Sequence, residues 1–315
     1  MVLTIASGKG GTGKTTLATN LARAADAPVR FIDCDVEEPN AHLFLRPVIT
    51  YAQPVQKLVP RIDAERCTLC GKCAEFCAYH ALAVLPKTTL VFDALCHGCG
   101  GCTLVCPEQA ITEVGLEVGA VESGQAGMIE FTQGRLTVGE AMAGPVIRAA
   151  KSKIDREKIT ILDAPPGTSC PVVATLLDAD VCLLVTEPTP FGLHDLKLAV
   201  ETVRELGLPH GVVINRAGSG DDSVETYCRN EQIPILLSIP ADRRIAEAYS
   251  RGAMLIDALP EYRQPLREAL SACAALAGID MKRSSTPKTH PFPLPGGELA
   301  ATYKKNAGMD ARGEE

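Results

Sequence analysis

Eight of the thirteen cysteines in this 315-residue chain fall in two runs of the same spacing, Cys67-x2-Cys70-x2-Cys73-x3-Cys77 and Cys96-x2-Cys99-x2-Cys102-x3-Cys106-Pro107. Each cysteine of the first run recurs 29 residues on in the second. Gly71 and Gly100 correspond in the same way, as do the apolar ends Ala81-Leu82 and Ala110-Ile111. This is an internal duplication. Four thiolates per run, three of them closely spaced, are a ligand pattern for [4Fe–4S] clusters. Zinc also favours paired cysteines, so two four-cysteine zinc sites are the alternative; the complete octet and the closing Cys-Pro favour iron.

A second chemistry lies at the N-terminus. Gly8-Lys9-Gly10-Gly11-Thr12-Gly13-Lys14-Thr15 meets G-x-x-x-x-G-K-[ST] at every fixed position. The strand-like run Val2 to Ala6 precedes it, and Thr16 to Ala22 reads as a helix with Leu17 and Leu21 on one face. Glycines let backbone N–H groups curl around phosphate oxygens, and the helix N-terminus adds its dipole. Gly8, Gly10, Gly11, Thr12, Gly13, Lys14, Thr15 and Thr16 are therefore the candidate ATP cradle. Lys14 is expected at the β/γ-phosphates and the Thr15 hydroxyl on Mg²⁺. The alternative, a chance glycine-rich turn, has to ignore the strand, loop and helix standing in order.

Lys9 narrows the class. The loop G-K-G-G-T-G-K-T-T resembles the deviant Walker A loop of the MinD/ParA/Mrp superfamily (SIMIBI class), to which the nitrogenase iron protein also belongs. The resemblance implies an ATP-dependent sandwich dimer in which Lys9 reaches the partner's phosphates; a solvated loop lysine is the plain alternative. The strand-like Val29 to Ile32 ends in Asp33-Cys34-Asp35. By the same resemblance Asp35 sits in switch I and positions the attacking water, and Asp33 helps to hold Mg²⁺. Helix capping or turn chemistry is the alternative for both. Ile159 to Asp163, followed by Ala164-Pro165-Pro166-Gly167-Thr168, is similar to the family's Walker B and switch II. Asp163 would then meet Mg²⁺ through water, and the Gly167 amide would sense the γ-phosphate. Asn215 resembles the adenine-contacting asparagine, and Pro240 and Asp242 a second loop flanking the base.

The cysteine runs resemble the bacterial two-cluster ferredoxin, in which the fourth cysteine of each run ligates the other cluster. That rule gives Cys67, Cys70, Cys73 and Cys106 to cluster one, and Cys96, Cys99, Cys102 and Cys77 to cluster two. One departure is Ala78 after Cys77, where ferredoxins usually carry proline; it bears on the polarity and solvent access of cluster two. Cys170 follows Asp163 by seven residues, the spacing of a cluster-ligating cysteine in the nitrogenase iron protein. It is either a shared metal ligand on a two-fold axis or, as favoured here, a packed thiol before Pro171. Cys34, Cys182, Cys228 and Cys273 lie in apolar or helical contexts and read as small buried hydrophobes. His80, His97 and His194 read as ordinary surface or supporting residues.

Something must position these groups. Further strand-like runs at Val181 to Val185, Gly211 to Ile214 and Ile235 to Asp242 alternate with helical patterns at His194 to Leu206, Ser223 to Glu231 and Ala241 to Tyr249. A last amphipathic helix spans Tyr262 to Ala277. The expected fold class is α/β, a doubly wound, mostly parallel P-loop sheet with an inserted small α+β ferredoxin-like domain. The expected organisation is an ATPase domain at 1–57 and 113–280, the insert at 58–112, and a Pro-containing flexible tail at 281–315. A β-hairpin at about Glu113 to Val138, turning at Gly134-Arg135, is expected to return the chain from the insert.

Net charge is −7 and the pI about 5.5, which gives no general attraction to nucleic acid or to anionic lipid. No apolar run approaches the ~18 residues of a membrane span, and the first strand leaves no room for a signal peptide, so the cytoplasm is the expected compartment. Thirteen cysteines there point to metal or redox chemistry rather than disulfides. The expected cofactors are ATP, Mg²⁺ and two [4Fe–4S] clusters. The expected partners are a second copy or a paralogous ATPase, and a redox or metal-cofactor client. Three functions compete: ATP-dependent assembly or insertion of an Fe–S or metal cofactor, ATP-gated electron transfer, and MinD/ParA-like positioning with structural or sensory clusters. The lack of a C-terminal CxxC, used by Mrp-type carriers to hold a bridging cluster, leans toward electron transfer.

Overall fold

In the computed structural model, which describes residues 1–279, the strand-like runs of the sequence line up in one sheet. β1 (Val2–Ala6) leads through the glycine loop into α1 (Lys14–Ala24), β2 (Val29–Asp33) and the short α2 (Ala41–Leu45). The long β3 (Val48–Ile62) leads to α3 (Lys72–Phe76), the pair β4 (Leu82–Leu85) and β5 (Thr88–Val91), and α4 (Gly101–Val105). β6 (Ile111–Ala126) returns, and β7 (Ile129–Leu136) and α5 (Gly144–Lys151) follow. The second half runs β8 (Ile159–Asp163), α6 (Cys170–Leu176), β9 (Val181–Thr186), α7 (Pro190–Glu205), β10 (His210–Ala217), α8 (Ser223–Asn230) and β11 (Ile235–Pro240). It closes with α9 (Arg243–Ser250), α10 (Leu255–Ala258), a 3₁₀ turn at Pro260–Tyr262 and α11 (Arg263–Leu276).

The sheet has nine strands in the order β11-β10-β9-β1-β8-β2-β7-β6-β3. The seven from β11 to β7 are parallel, and the β7–β6 and β6–β3 pairs are antiparallel. Strands covered on both faces are nearly continuous apolar runs, which is why VLTIA and VCLLVT, each carrying a single threonine, are wholly buried. Leu3 and Ile5 face one core with Leu17 and Leu21 of α1 and Leu266 and Leu270 of α11. Val2, Ile32 and Leu162 face the other with Val146 and Ile147 of α5. Phe31 and Phe131 stack at 6.0 Å across the β2–β7 pair.

β3 and β6 pair from Val48↔Gln125 to Ile62↔Ile111 and form a long arm. Because β6 is antiparallel to both neighbours, β3 runs in the direction of β2 and ends on the same side of the sheet. Asp33 lies level with Gln133, Gln133 with Glu122, and Glu122 with Ala52. Ile62 lies ten residues beyond that level, about 33 Å further along the arm at ~3.3 Å per residue. The cysteine-bearing segment is thus held out beyond the carboxyl edge of the sheet.

One expectation is corrected. The β6–β7 turn falls at Gly127-Met128, not at Gly134-Arg135. Gly134 is mid-strand, and its missing side chain serves packing: a Cβ there would lie 2.5 Å from Val36 and 2.9 Å from Val146. At the boundaries expected for the insert, 57/58 and 112/113, β3 and β6 run on without interruption. The segment leaves the sheet at Ile62, re-enters at Ile111, and belongs to the same compact unit as the sheet. The tail expected at 281–315 lies outside the described residues.

Candidate functional site

Loops leaving the carboxyl ends of β1, β2, β8, β10 and β11 meet beside β1, where successive strands fall to either side, the usual ligand crevice of such sheets. A cavity of about 710 Å³ lies there, lined by Gly10, Gly11, Gly13, Lys14, Thr15 and Thr16 on the glycine-loop side. Asp35, Pro166, Asn215, Arg216, Pro240 and Asp242 line it from the other loops, with Tyr249 of α9. Gly8 and Thr12 stay outside the lining: a Cβ on Gly8 would lie 2.1 Å from the Asp195 carbonyl oxygen, and Thr12 is buried.

At the inner end Lys14 is buried, which lowers its pKa; Asp163 and Asp35 pull it back up. Asp163 is 1 % exposed and neither of its oxygens has a hydrogen-bond partner. Burial pushes it up to about 7; Thr15, close by but outside hydrogen-bond geometry, and Lys14 oppose the shift, and Asp35 adds to it. Asp35 is pushed up to about 6 by burial, with Lys14 opposing. A buried carboxylate with no donor is expensive. One beside a threonine hydroxyl and a phosphate-binding loop is a donor set that suits Mg²⁺, a hard cation taking oxygen ligands.

Asp33 has another occupation. Its Oδ1 accepts the Asp35 amide at 3.1 Å, and its Oδ2 accepts the Asn40 and Ala41 amides, each at 3.1 Å. It shapes the loop after β2, the turn chemistry weighed as the alternative, and burial and Asp163 raise its pKa well above the carboxylate range. The Gly167 amide is also engaged, donating to the Ser7 carbonyl at 3.0 Å, so it is not free to meet a phosphate in this form. Asn215 ties its loop to the glycine loop: its Nδ2 donates to the Thr12 carbonyl at 2.8 Å, and its Oδ1 accepts the Arg216 amide. Asp242 caps α9 by accepting the Arg244 amide at 2.8 Å.

Lys9 lies outside the cavity lining, with Nζ 3.6 Å from Glu187, and Arg216 donates to the same carboxylate at 2.6 Å. Glu187 was not expected. Its signal is nonetheless in the sequence: like Asp33 and Asp163, it is an acid at the carboxyl end of a buried apolar run, here β9.

Two more cavities lie in the cysteine-bearing segment. One is lined by Cys67, Cys70, Cys73 and Cys106, with Ile62 and Ile111. The other, about 180 Å³, is lined by Cys77, Cys96, Cys99 and Cys102, with Leu58, Glu113 and the stacked rings of Tyr79 and His97 (3.5 Å apart). The duplication extends to the backbone: φ is positive at Leu69 and Gly98, at Gly71 and Gly100, and at His80 and Gln109. Each glycine of the middle pair precedes a five-residue helix, and each helix ends at the fourth cysteine of its run. Amides of Ala81 and Ala110 donate to the Cys77 and Cys106 sulfurs at 3.4 and 3.3 Å. Burial raises the Cys73 and Cys102 thiols. Among the described residues no three His, Cys, Asp or Glu side chains converge as a single-ion site.

Cys34, Cys182, Cys228 and Cys273 are buried, as expected, and burial raises each thiol. Cys170 is exposed at the start of α6, so the favoured packed thiol is not what the structure gives. No described helix is long and apolar enough to cross a membrane.

The family described as "CbiA: CobQ/CobB/MinD/ParA nucleotide binding domain" matches residues 3–256. The chain is similar to uncharacterized protein MJ0579 of Methanocaldococcus jannaschii, 32% identical over 80% of this chain and 90% of that protein. It is also similar to MJ0578 of the same organism, 29% identical over 85% of this chain and 94% of that protein. A cytosolic Fe-S cluster assembly factor, the Nubp1 homolog of Drosophila willistoni, is 29% identical over 40% of this chain and 48% of its own. Among solved structures, the septum site-determining protein MinD with Mg-ADP from Pyrococcus horikoshii superposes with a TM-score of 0.54 at 20% identity, over 88% of this chain and 97% of that one; that likeness concerns the fold. Its sheet, its glycine loop and a family match covering most of its length together make this chain a member of the CobQ/CobB/MinD/ParA nucleotide-binding family.

Proposed function

We propose that the chain is a Mg²⁺-dependent cytoplasmic ATPase carrying two [4Fe–4S] clusters, which couples nucleotide-dependent dimerisation to assembly or insertion of an iron–sulfur or other metal cofactor. The observation that carries the cluster half is the crossed partition of the cysteines. The cavities separate 67, 70, 73 and 106 from 77, 96, 99 and 102, the division the two-cluster ferredoxin rule requires. Cys67, Cys70, Cys73 and Cys106 would hold one cluster, and Cys77, Cys96, Cys99 and Cys102 the other. Such clusters, when bound, supply one-electron transfer.

For the nucleotide half, the glycine-loop amides and Lys14 hold the phosphates, and the apolar wall with Tyr249 takes the base. Thr15 and Asp163 are the residues that would hold Mg²⁺, which supplies charge neutralisation at the phosphates. Asp35 lines the cavity and orients the attacking water. Lys9 swings off Glu187 to reach a partner's phosphates. The partner is a second copy or a paralogue, and two relatives of nearly full length in one archaeon support the latter. Exposed Cys170 is a candidate ligand for a metal shared across that dimer. The partial likeness to an Fe–S assembly factor favours cofactor assembly, with the recipient protein as client.

ATP-gated electron transfer is the second reading. It is favoured by cysteines set in an element continuous with the sheet, which suits resident clusters rather than cargo. Anaerobic redox titration followed by EPR, with and without MgATP, tests both. Two [4Fe–4S] signals indifferent to nucleotide support assembly. A midpoint that moves with MgATP supports electron transfer, and absence of an iron signal overturns the cluster half.

A further inference from the structure

The two cysteine cavities differ in their attachment to the nucleotide machinery. The Cys67 cavity sits at the far end of the arm, against Ile62 and Ile111. The Cys96 cavity sits against Leu58, four residues nearer the core, about 13 Å along the strand. Gly98, between Cys96 and Cys99, has φ +65, and a Cβ on it would lie 3.1 Å from the Leu58 carbonyl oxygen. That cysteine loop is therefore seated directly on the β3 backbone.

The residue before Leu58 is Lys57, only 4 % exposed. Its ammonium donates to Glu140 Oε1 at 3.1 Å, both side chains being nearly sealed from solvent. The same carboxylate oxygen accepts the Met142 amide at 3.0 Å, and the Glu140 amide donates to the Thr137 carbonyl, so the 137–142 loop is organised around this acid. The loop begins where the Leu136 amide donates to the Val36 carbonyl at 2.8 Å, and Val36 is the neighbour of Asp35. A continuous path thus runs from the loop after β2, through 136–142 and the buried pair, to the second cysteine loop. Breaking a buried ion pair strands a charge, so the joined segments move together rather than separate.

We propose that the buried Lys57–Glu140 pair makes the Cys77/Cys96/Cys99/Cys102 cavity, and not the Cys67/Cys70/Cys73/Cys106 cavity, responsive to nucleotide at the 35–40 loop. The functional meaning rests on the reading above, in which the cavities hold clusters and the loop senses ATP. The distal cavity then serves as the constant site, and the proximal one as the site whose environment ATP changes.

Hydrogen–deuterium exchange on the full chain, purified anaerobically, tests this with and without MgATP. The expected result is a several-fold change in exchange at 137–142 and 96–101, with 67–72 unchanged. Lys57→Met, which keeps the apolar stem, removes the change at 96–101 and leaves the change at 35–40. Glu140→Gln is the second variant should Lys57→Met fail to fold, with the same expectation. Equal response of both cysteine loops, no response at 96–101, or a response that survives in the variant overturns the proposal. Protection of residues 10–16 reads nucleotide binding and iron content reads cluster binding, so failure of the functional reading is recognised separately.

Discussion

Replacing Asp163 by asparagine should stabilise the nucleotide-free protein and abolish its response to Mg²⁺. The carboxylate is sealed from water, has no hydrogen-bond donor, and is pushed from 3.8 up to about 7. Three units at 1.36 kcal/mol each set a ceiling of about 4 kcal/mol on what its ionisation costs the fold at pH 8. Asp33 shares that strain, and the new amide carries its own unsatisfied groups, worth about 1–3 kcal/mol. The net gain is therefore about 2 kcal/mol, or roughly 4 °C in melting temperature for a chain of this size. The sign fixes the pH window. A folded pKa above the unfolded one gives stability that is full below about pH 4 and is lost as pH rises through about 7. The difference between variant and parent should thus close by pH 5. With MgATP at a hundredfold over Kd the order reverses, since the parent gains about 2.7 kcal/mol and the variant little. Thermal unfolding at pH 5 and pH 8, with and without MgATP, reads all four cases. An asparagine variant less stable than the parent at pH 8 without nucleotide would refute the reasoning, because the carboxylate would then have a structural partner.

Other substitutions separate the remaining parts. Lys14→Ala should abolish MgATP binding by calorimetry, while Lys9→Ala should bind normally yet show no ATP-dependent dimer by sedimentation; normal dimerisation in the latter would remove Lys9 from the trans role. Cys99→Ser should leave about four of eight irons and one of two EPR signals; loss of both signals would mean that the sites do not assemble independently. Phe31→Ala removes a fully buried ring stacked on Phe131, and chemical denaturation should show a loss of about 3–5 kcal/mol.

Much of this molecule is legible in its sequence because the informative groups are local. A phosphate loop needs glycines and a lysine at fixed offsets, and the proposed cluster segment would need cysteines at fixed offsets, so the residues behind both readings stand within short stretches of sequence. Buried parallel strands are nearly continuous apolar runs, which marks β1, β8 and β9 in the sequence despite one threonine in each. Where an acid follows such a run, its position at the carboxyl edge is also set.

What each acid does there depends on neighbours distant in sequence. Asp33 and Asp163 follow the same kind of strand, yet the first is taken by three loop amides and the second is left with none. Gly134 looks like a turn because its reason for being glycine, the approach of Val36 and Val146, comes from two other elements. Glu187, held between Lys9 and Arg216, and the Lys57–Glu140 pair join residues from 29 to 178 positions apart. Local spacing marks the nucleotide loop and the cysteines proposed to hold clusters. The partners left to each buried charge, and the way one site is mechanically joined to another, are set by packing, because burial is decided by whichever strands the fold brings alongside.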